Sequence, residues 1–203
     1  MTPEEILSIV EEYLPSAANT TLCKIEKGCR TVPQCHTGST YSVLDFDSVK
    51  DKFCKGREPL SSVDALTINP DKSTLLLVEI KSWKKAAIHP ITKKEADEES
   101  LKQTAEKFKC TLSKKIRNSF EILNELTGLP QAATDLNWAV IFVSDLDTEP
   151  LSQFLANMSV LAAFPTEISK KCNDLTNLML GELPNVKTYH TGCHEFDYKI
   201  KLY

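Results

Sequence analysis

The chain has 203 residues, which is room for one domain and too little for a fusion of two enzymes. Its 41% hydrophobic and 26% charged residues, with only 6 Gly and 10 Pro, match an ordinary soluble globular protein and exclude disorder, collagen-like repeats and coiled-coil fibres. The formal charge of −4 argues against a wholly basic surface, but it hides an asymmetry: Lys81–Arg117 holds eleven basic and five acidic residues, a net +6, and the rest of the chain is −10.

The opening stretch MTPEEILSIVEEYL has neither a basic leader region nor a long apolar one, so a secretory signal is not expected. No run approaches about 18 apolar residues, so no membrane span is expected, and a cytoplasmic location is the default. Seven cysteines, an odd number, then read as reduced thiols. Cys23, Cys29, Cys35, His36 and Cys54 are of the types zinc prefers. Their x5 spacings are not the tight pairs that chelate a metal from one turn, so zinc is not expected. Cys193–His194 has no spaced partner.

Thr2, Pro3, Glu4 and Glu5 are helix-start chemistry, and Ile6, Ile9, Val10, Tyr13 and Leu14 make the apolar stripe of a first helix that Pro15 ends. Residues 16–39 lack periodicity and read as loop or short irregular strand. Tyr41–Phe46 reads as a first strand and Ser48–Cys54 as a helical turn or loop. Val63–Ile68 and Thr74–Lys81 read as paired strands, joined by turn chemistry at Asn69-Pro70-Asp71-Lys72-Ser73. Residues 82–94 read as a loop. From about Glu95 to Leu126 apolar residues recur at spacings of three and four, a long helix, at most broken once, that Gly128 and Pro130 close. Trp138–Val143 is an apolar run suited to a strand buried on both faces. Helices are expected over about 151–163 and 167–181, with late strands at Val186–Tyr189 and Phe196–Leu202. The fold class is α/β: a three-layer sandwich with a central mixed sheet flanked by helices, residues 1–144 forming the core and 145–203 completing the same domain.

The informative place is the strand TLLLVEIK. Leu75, Leu76, Leu77, Val78 and Ile80 imply that both its faces are covered, yet it carries Glu79 and Lys81 at its C-terminal end. Ionised groups avoid such positions unless they are paired or bind a metal. Side chains alternate along a strand, so Glu79 and Lys81 share a face, roughly 7 Å apart at their backbones. A two-residue turn at Asp71-Lys72 puts Asp64 directly across from Glu79, and a longer loop moves this by one or two positions. Asp64, Glu79 and Lys81 therefore converge at one end of the hairpin. Two carboxylates in this arrangement suit Mg2+ or Mn2+, with phosphate oxygens completing the shell, and an ammonium beside them suits a metal-bound water or developing phosphoryl charge.

The pattern Asp64-x14-Glu79-Ile80-Lys81 on a hairpin, in the order helix, three strands, helix, strand, resembles the PD-(D/E)xK nuclease superfamily with its restriction-endonuclease-like αβββαβ core. The resemblance spans about residues 1–144 and does not select a subfamily; Val63 stands where a proline often precedes the aspartate. It implies that Asp64 and Glu79 bind the catalytic metal and that Lys81 assists the attacking water. It also implies an acidic residue from the first helix, Glu5 or Glu12, with Glu5 the metal ligand if the helix N-terminus faces the site. From the later helix it implies a polar or basic residue, either Gln103 with Lys107 or, preferred here, Lys115 with Ser119, each pair on one helical face.

The expected function is hydrolysis of phosphodiester bonds in DNA or RNA by a metal-dependent nuclease. Lys84, Lys85, Lys107, Lys114 and Arg117 of the basic segment are the candidate nucleic-acid contacts. Trp83 is placed either to stack on a base or to pack in the core or at its rim. Residues 145–203 are the region for a substrate, homodimer or partner-protein surface. Two other readings stand beside this one: an inactive nuclease-fold protein that serves as a binding or scaffold partner, and a zinc-stabilised interaction protein built on the cysteines. A surface ion pair between Glu79 and Lys81, with Asp64 capping a turn, is the structural alternative to the metal site.

Overall fold

A computed structural model describes residues 1–25, 39–87, 96–128, 136–146, 166–193 and 195–203. Helix α1 (Pro3–Tyr13) starts with a capping box: Thr2 Oγ1 accepts from Glu5 N at 3.2 Å, and Glu5 Oε2 accepts from Thr2 N at 2.7 Å. A 3-10 turn (Pro15–Ala17) and the short helix α2 (Leu22–Ile25) follow. Next come β1 (Leu44–Asp45), α3 (Phe46–Phe53), β2 (Ala65–Asn69), β3 (Thr74–Lys81), α4 (Trp83–Ala87), α5 (Glu98–Thr127), β4 (Trp138–Ser144), α6 (Thr166–Gly181), β5 (Thr188–Gly192) and α7 (Phe196–Lys199).

The five strands form one sheet in the order β1-β2-β3-β4-β5. The first three are antiparallel neighbours, while β4 and β5 continue the sheet in parallel with β3. A mixed sheet results. On one face, Leu66, Leu75, Leu77, Val140 and Phe142 pack against Ile6 and Val10 of α1, Val49 of α3, Leu112 and Ile116 of α5, and Met179 and Leu180 of α6. On the other face, Ala65, Leu76, Val78, Ile80, Ile141 and Val143 pack against Leu22 of α2 and against Phe196 and Ile200. Helices thus cover both faces, as an α/β sandwich requires. Among the described residues no helix is long and apolar enough to cross a membrane.

Several elements depart from the sequence expectation. The first strand is only two residues long, because Asp45 caps α3: its carboxylate accepts from Ser48 N at 3.0 Å and from Ser48 Oγ at 2.8 Å. The next amides, of Phe46 and Asp47, turn to Asp64 O at 3.1 and 3.4 Å instead of extending the ladder. Asp45→Ala is expected to lower stability by about 1 kcal/mol in urea unfolding, the usual cost of a lost N-cap.

The expected loop after β3 begins as α4, since Asp145 Oδ1 accepts from Trp83 N at 2.8 Å and Asp145 Oδ2 accepts from Ser82 Oγ. Residues 88–94 of that loop, and the helix expected over 151–163, lie outside the described residues. Helix α5 runs unbroken for 30 residues to Gly128, whose φ of 66° is the left-handed helix stop.

The late strand begins two residues later than expected, at Thr188. Phe196–Leu202 is not a strand. Phe196 and Ile200 are buried, whereas Tyr198 and Leu202 are 64% and 53% exposed. Burial therefore recurs every fourth residue, which is the helical period, and not every second.

Candidate active site

Alternation along β3 sends Leu75, Leu77, Glu79 and Lys81 to the face covered by α1, α5 and α6, and Leu76, Val78 and Ile80 to the other. Ala65 pairs with Val78 and Asn69 with Thr74, so the loop spans residues 70–73 with Asp71 and Lys72 at its centre. Asp64, just before β2, therefore lies across from Glu79, and its amide donates to Val78 O at 3.0 Å. This is the register that the turn chemistry implies.

The side chains meet around one nitrogen. Lys115 Nζ of α5 donates to Asp64 Oδ1 at 2.9 Å and to Glu79 Oε1 and Oε2 at 3.0 and 2.9 Å. Lys81 Nζ lies 2.6 Å from Glu79 Oε1. The remaining oxygen, Asp64 Oδ2, accepts from Ile80 N at 2.7 Å, which locks the carboxylate to the strand. Glu79 is fully buried and Lys115 and Asp64 nearly so, while the Lys81 side chain is 25% exposed. Lys81 is the most exposed member of the cluster, the Lys115 and Asp64 side chains being 14% exposed each. An ordinary surface ion pair is excluded by this burial.

Electrostatics follow from the geometry. Burial, with the Asp64 charge beside it, pushes Glu79 up to about 7, against the pull of Lys115 and Lys81. Burial works to lower Lys115 but is outweighed by the Glu79 and Asp64 carboxylates, which hold it above the ordinary lysine range.

On the same sheet face, Phe142 pairs in register with both Glu79 and His190. The His190 ring is joined to Ser144 Oγ through Nε2 at 2.8 Å. Burial, helped by the Lys199 cation and opposed by Glu195, lowers His190 to about 4.

These two shifts act on stability with opposite signs. His190, with its folded pKa depressed, contributes stability present above about 6.5 and lost as pH falls towards 4. Glu79, with its folded pKa raised, contributes stability present below about 4.5 and lost as pH rises towards 7. Each span is about 3 kcal/mol at most. Wild-type stability is therefore expected to be nearly flat between pH 4.5 and 6.5. Glu79→Gln removes one arm, so urea titrations of that variant should show stability falling as pH drops below 6.5. A flat profile for Glu79→Gln would refute the assignment.

The donor set fits a divalent cation. Three carboxylate oxygens already point at one positive centre, at 2.9–3.0 Å. Mg2+ takes oxygens at about 2.0–2.1 Å, so each would close by less than about 1 Å. Among the described residues no three His, Cys, Asp or Glu side chains gather as a metal group. A pair of carboxylates leaves the rest of an octahedral shell to water and phosphate oxygens, which is how Mg2+ is commonly held. All-oxygen ligation suits Mg2+ or Mn2+ and not zinc.

The other candidates divide. Ser119 is fully buried, and its Oγ accepts from Val63 N at 3.0 Å; it steadies the residue before Asp64 and does not face a substrate. Its neighbour Asn118 donates from Nδ2 to Ser61 Oγ at 3.1 Å. Glu5 is not a metal ligand, because its carboxylate closes the capping box and α1 starts at the wrong end of the hairpin. Glu4, beside it, meets Ser73 of the turn at 3.3 Å, and Glu79 lies six residues further along the chain, roughly 20 Å. Glu12 and Gln103 are exposed, and Gln103 donates to Glu99 at 3.1 Å.

Lys107, Lys114 and Arg117 lie along the exposed side of α5, and Lys85 is exposed on α4. The side chain of Lys84 lies outside the described residues. Trp83 cannot stack on a base: it is fully buried, and its Nε1 donates to Thr176 Oγ1 at 2.8 Å. Cys29, Cys35, His36 and His194 are outside the described residues, and Cys23, Cys54, Cys110 and Cys172 are free thiols.

Sequence reasoning missed the Ile80 amide, since backbone donors have no sequence signature. It also missed Asp47, which accepts from Ser62 Oγ at 2.8 Å and from Lys50 Nζ at 3.1 Å beneath the segment that leads into Asp64. Neither protein-family models, curated proteins nor solved structures match the chain.

Proposed function

We propose that the protein is a metal-dependent nuclease that hydrolyses phosphodiester bonds in DNA or RNA, working in the cytoplasm, with a restriction-endonuclease-like core. The observation that carries this reading is the convergence of Asp64 and Glu79, from two strands, on a single cationic centre with the more exposed Lys81 beside it. It agrees with the PD-(D/E)xK pattern in the sequence. Mg2+ or Mn2+ held by the two carboxylates supplies Lewis-acid polarisation of the phosphate and a more acidic water.

The chain's own groups do the rest. The Ile80 amide and Lys81 fix one oxygen each of Asp64 and Glu79, so the two carboxylates are oriented before substrate arrives. Lys81, the most exposed member of the cluster, presents its remaining N–H groups to the attacking water and to charge developing on the phosphate. Lys107, Lys114 and Arg117 give the backbone of the nucleic acid a basic track along α5, and binding through them is sensitive to salt.

A second reading is favoured by the closed charge balance: two carboxylates facing two ammonium groups also describe an inactive scaffold whose buried ions only hold the hairpin to α5. The test is incubation of linear DNA, supercoiled DNA and structured RNA with Mg2+, Mn2+ or EDTA. Wild type should cut at least one substrate in a metal-dependent way, while Glu79→Ala and Lys81→Ala should not. No cleavage, or cleavage undiminished in both variants, favours the scaffold.

A further inference from the structure

The Lys115 ammonium stands at the point on which three carboxylate oxygens converge, 2.9–3.0 Å from each. It cannot stay there when a divalent cation binds the same oxygens. The charges then matter. With both carboxylates ionised, Asp64 and Glu79 are balanced by Lys81 and Lys115, and the cluster is neutral. A divalent cation leaves it at +2, beside a glutamate with no exposed surface and an apolar neighbour, Phe142. Excess charge in so dry a place is costly unless an anion comes with it.

Resting on the metal-site reading above, we infer that Lys115 is a resident counter-cation that couples the two ligands. It holds the cation seat in the metal-free protein, yields it to the divalent cation, and is then the partner of the substrate's phosphodiester anion. Metal and phosphodiester consequently bind as a pair, each strengthening the other. Coupling of this kind is reciprocal and of the order of tenfold. Lys115 acts here as a positioning residue: in the metal-free protein it keeps two like charges aimed at one point, and it leaves them oriented for the incoming cation.

Mn2+ binding, followed by calorimetry or by loss of the free-ion electron paramagnetic resonance signal, tests this without any turnover. The probes are dithymidine phosphorothioate, which is charged and resists hydrolysis, and the neutral dithymidine methylphosphonate. In wild type, the charged probe should tighten Mn2+ binding roughly tenfold and the neutral one should leave it unchanged. In Lys115→Met, Mn2+ alone should bind roughly tenfold tighter than in wild type, with most of the coupling gone.

Equal effects of the two probes on wild type overturn the coupling, and this measurement does not depend on any variant folding. Mn2+ binding in Lys115→Met no tighter than in wild type overturns the displacement of Lys115 but leaves the metal site standing. Absence of Mn2+ binding in both proteins, with and without probe, overturns the metal-site reading itself.

Discussion

Glu79→Ala is expected to lower Mg2+-dependent cleavage at least about a thousandfold, an increase of about 4 kcal/mol in the barrier. The side chain carries two of the three oxygens aimed at the cation seat, and Asp64 alone holds the third. Its loss also frees Lys81, whose ammonium lies 2.6 Å from Glu79 Oε1 and has no other carboxylate among the ion pairs of the described residues. Lys81→Ala should cost less in metal affinity than in turnover, because the proposed mechanism assigns Lys81 to the attacking water and not to the cation. Comparing single-turnover rates over a range of Mg2+ concentrations separates the two. If raising Mg2+ restores full rate to Lys81→Ala, its role lies in metal binding and the mechanism above is wrong.

Lys115→Met should destabilise the metal-free protein by about 3–5 kcal/mol, the usual result of removing one partner from a buried ion cluster. The alkyl stem is preserved, so what is lost is the charge that allows Asp64 and Glu79 to face each other. Glu79, already pushed up to about 7, loses its strongest opposing charge and rises further. A carboxyl whose folded pKa is raised loses stability as pH climbs, so the deficit should be larger at pH 8 than at pH 5. Adding Glu79→Gln to Lys115→Met should recover part of the loss, since the fully buried position 79 is then neutral and no longer repels Asp64. Urea unfolding of the four proteins of this cycle measures the coupling directly. Additive effects, with no recovery in the double variant, would show that the three groups do not act as one cluster.

Much of this cluster was legible in the sequence for a specific reason. Turn residues at Asn69–Ser73 determine a hairpin register, and the register in turn brings Asp64 opposite Glu79. The cost of burying charge singles out Glu79 within a run of leucines. Lys115 was reached through the resemblance, which implies a polar or basic residue from the later helix, and it lies next to the buried Ile116 of α5. Ser119, one turn further, shares the helical face of Lys115, but the Val63 amide takes its hydroxyl.

The failures are equally physical. Glu5 carries strong helix-start chemistry, and sequence patterns do not say which end of the hairpin a helix start will face. Phe196–Leu202 offers alternate apolar residues to a strand and every fourth residue to a helix. Only the Ser39 and Thr40 contacts to Asp197, at 2.5–2.8 Å, and the sheet surface above Phe196 decide between them.

The sequence by itself determined the α/β class, the hairpin and its register, the long helix after it, and the pairing of two carboxylates with a lysine. These depend on local turn geometry, side-chain periodicity and the cost of buried charge, all of which act over a few residues. Tertiary structure alone decided what the cation seat contains, which helix end approaches it and which polar groups are spent on the backbone. Those outcomes depend on the direction in which α1 and α5 cross the sheet, and that is set by packing between segments far apart in the chain.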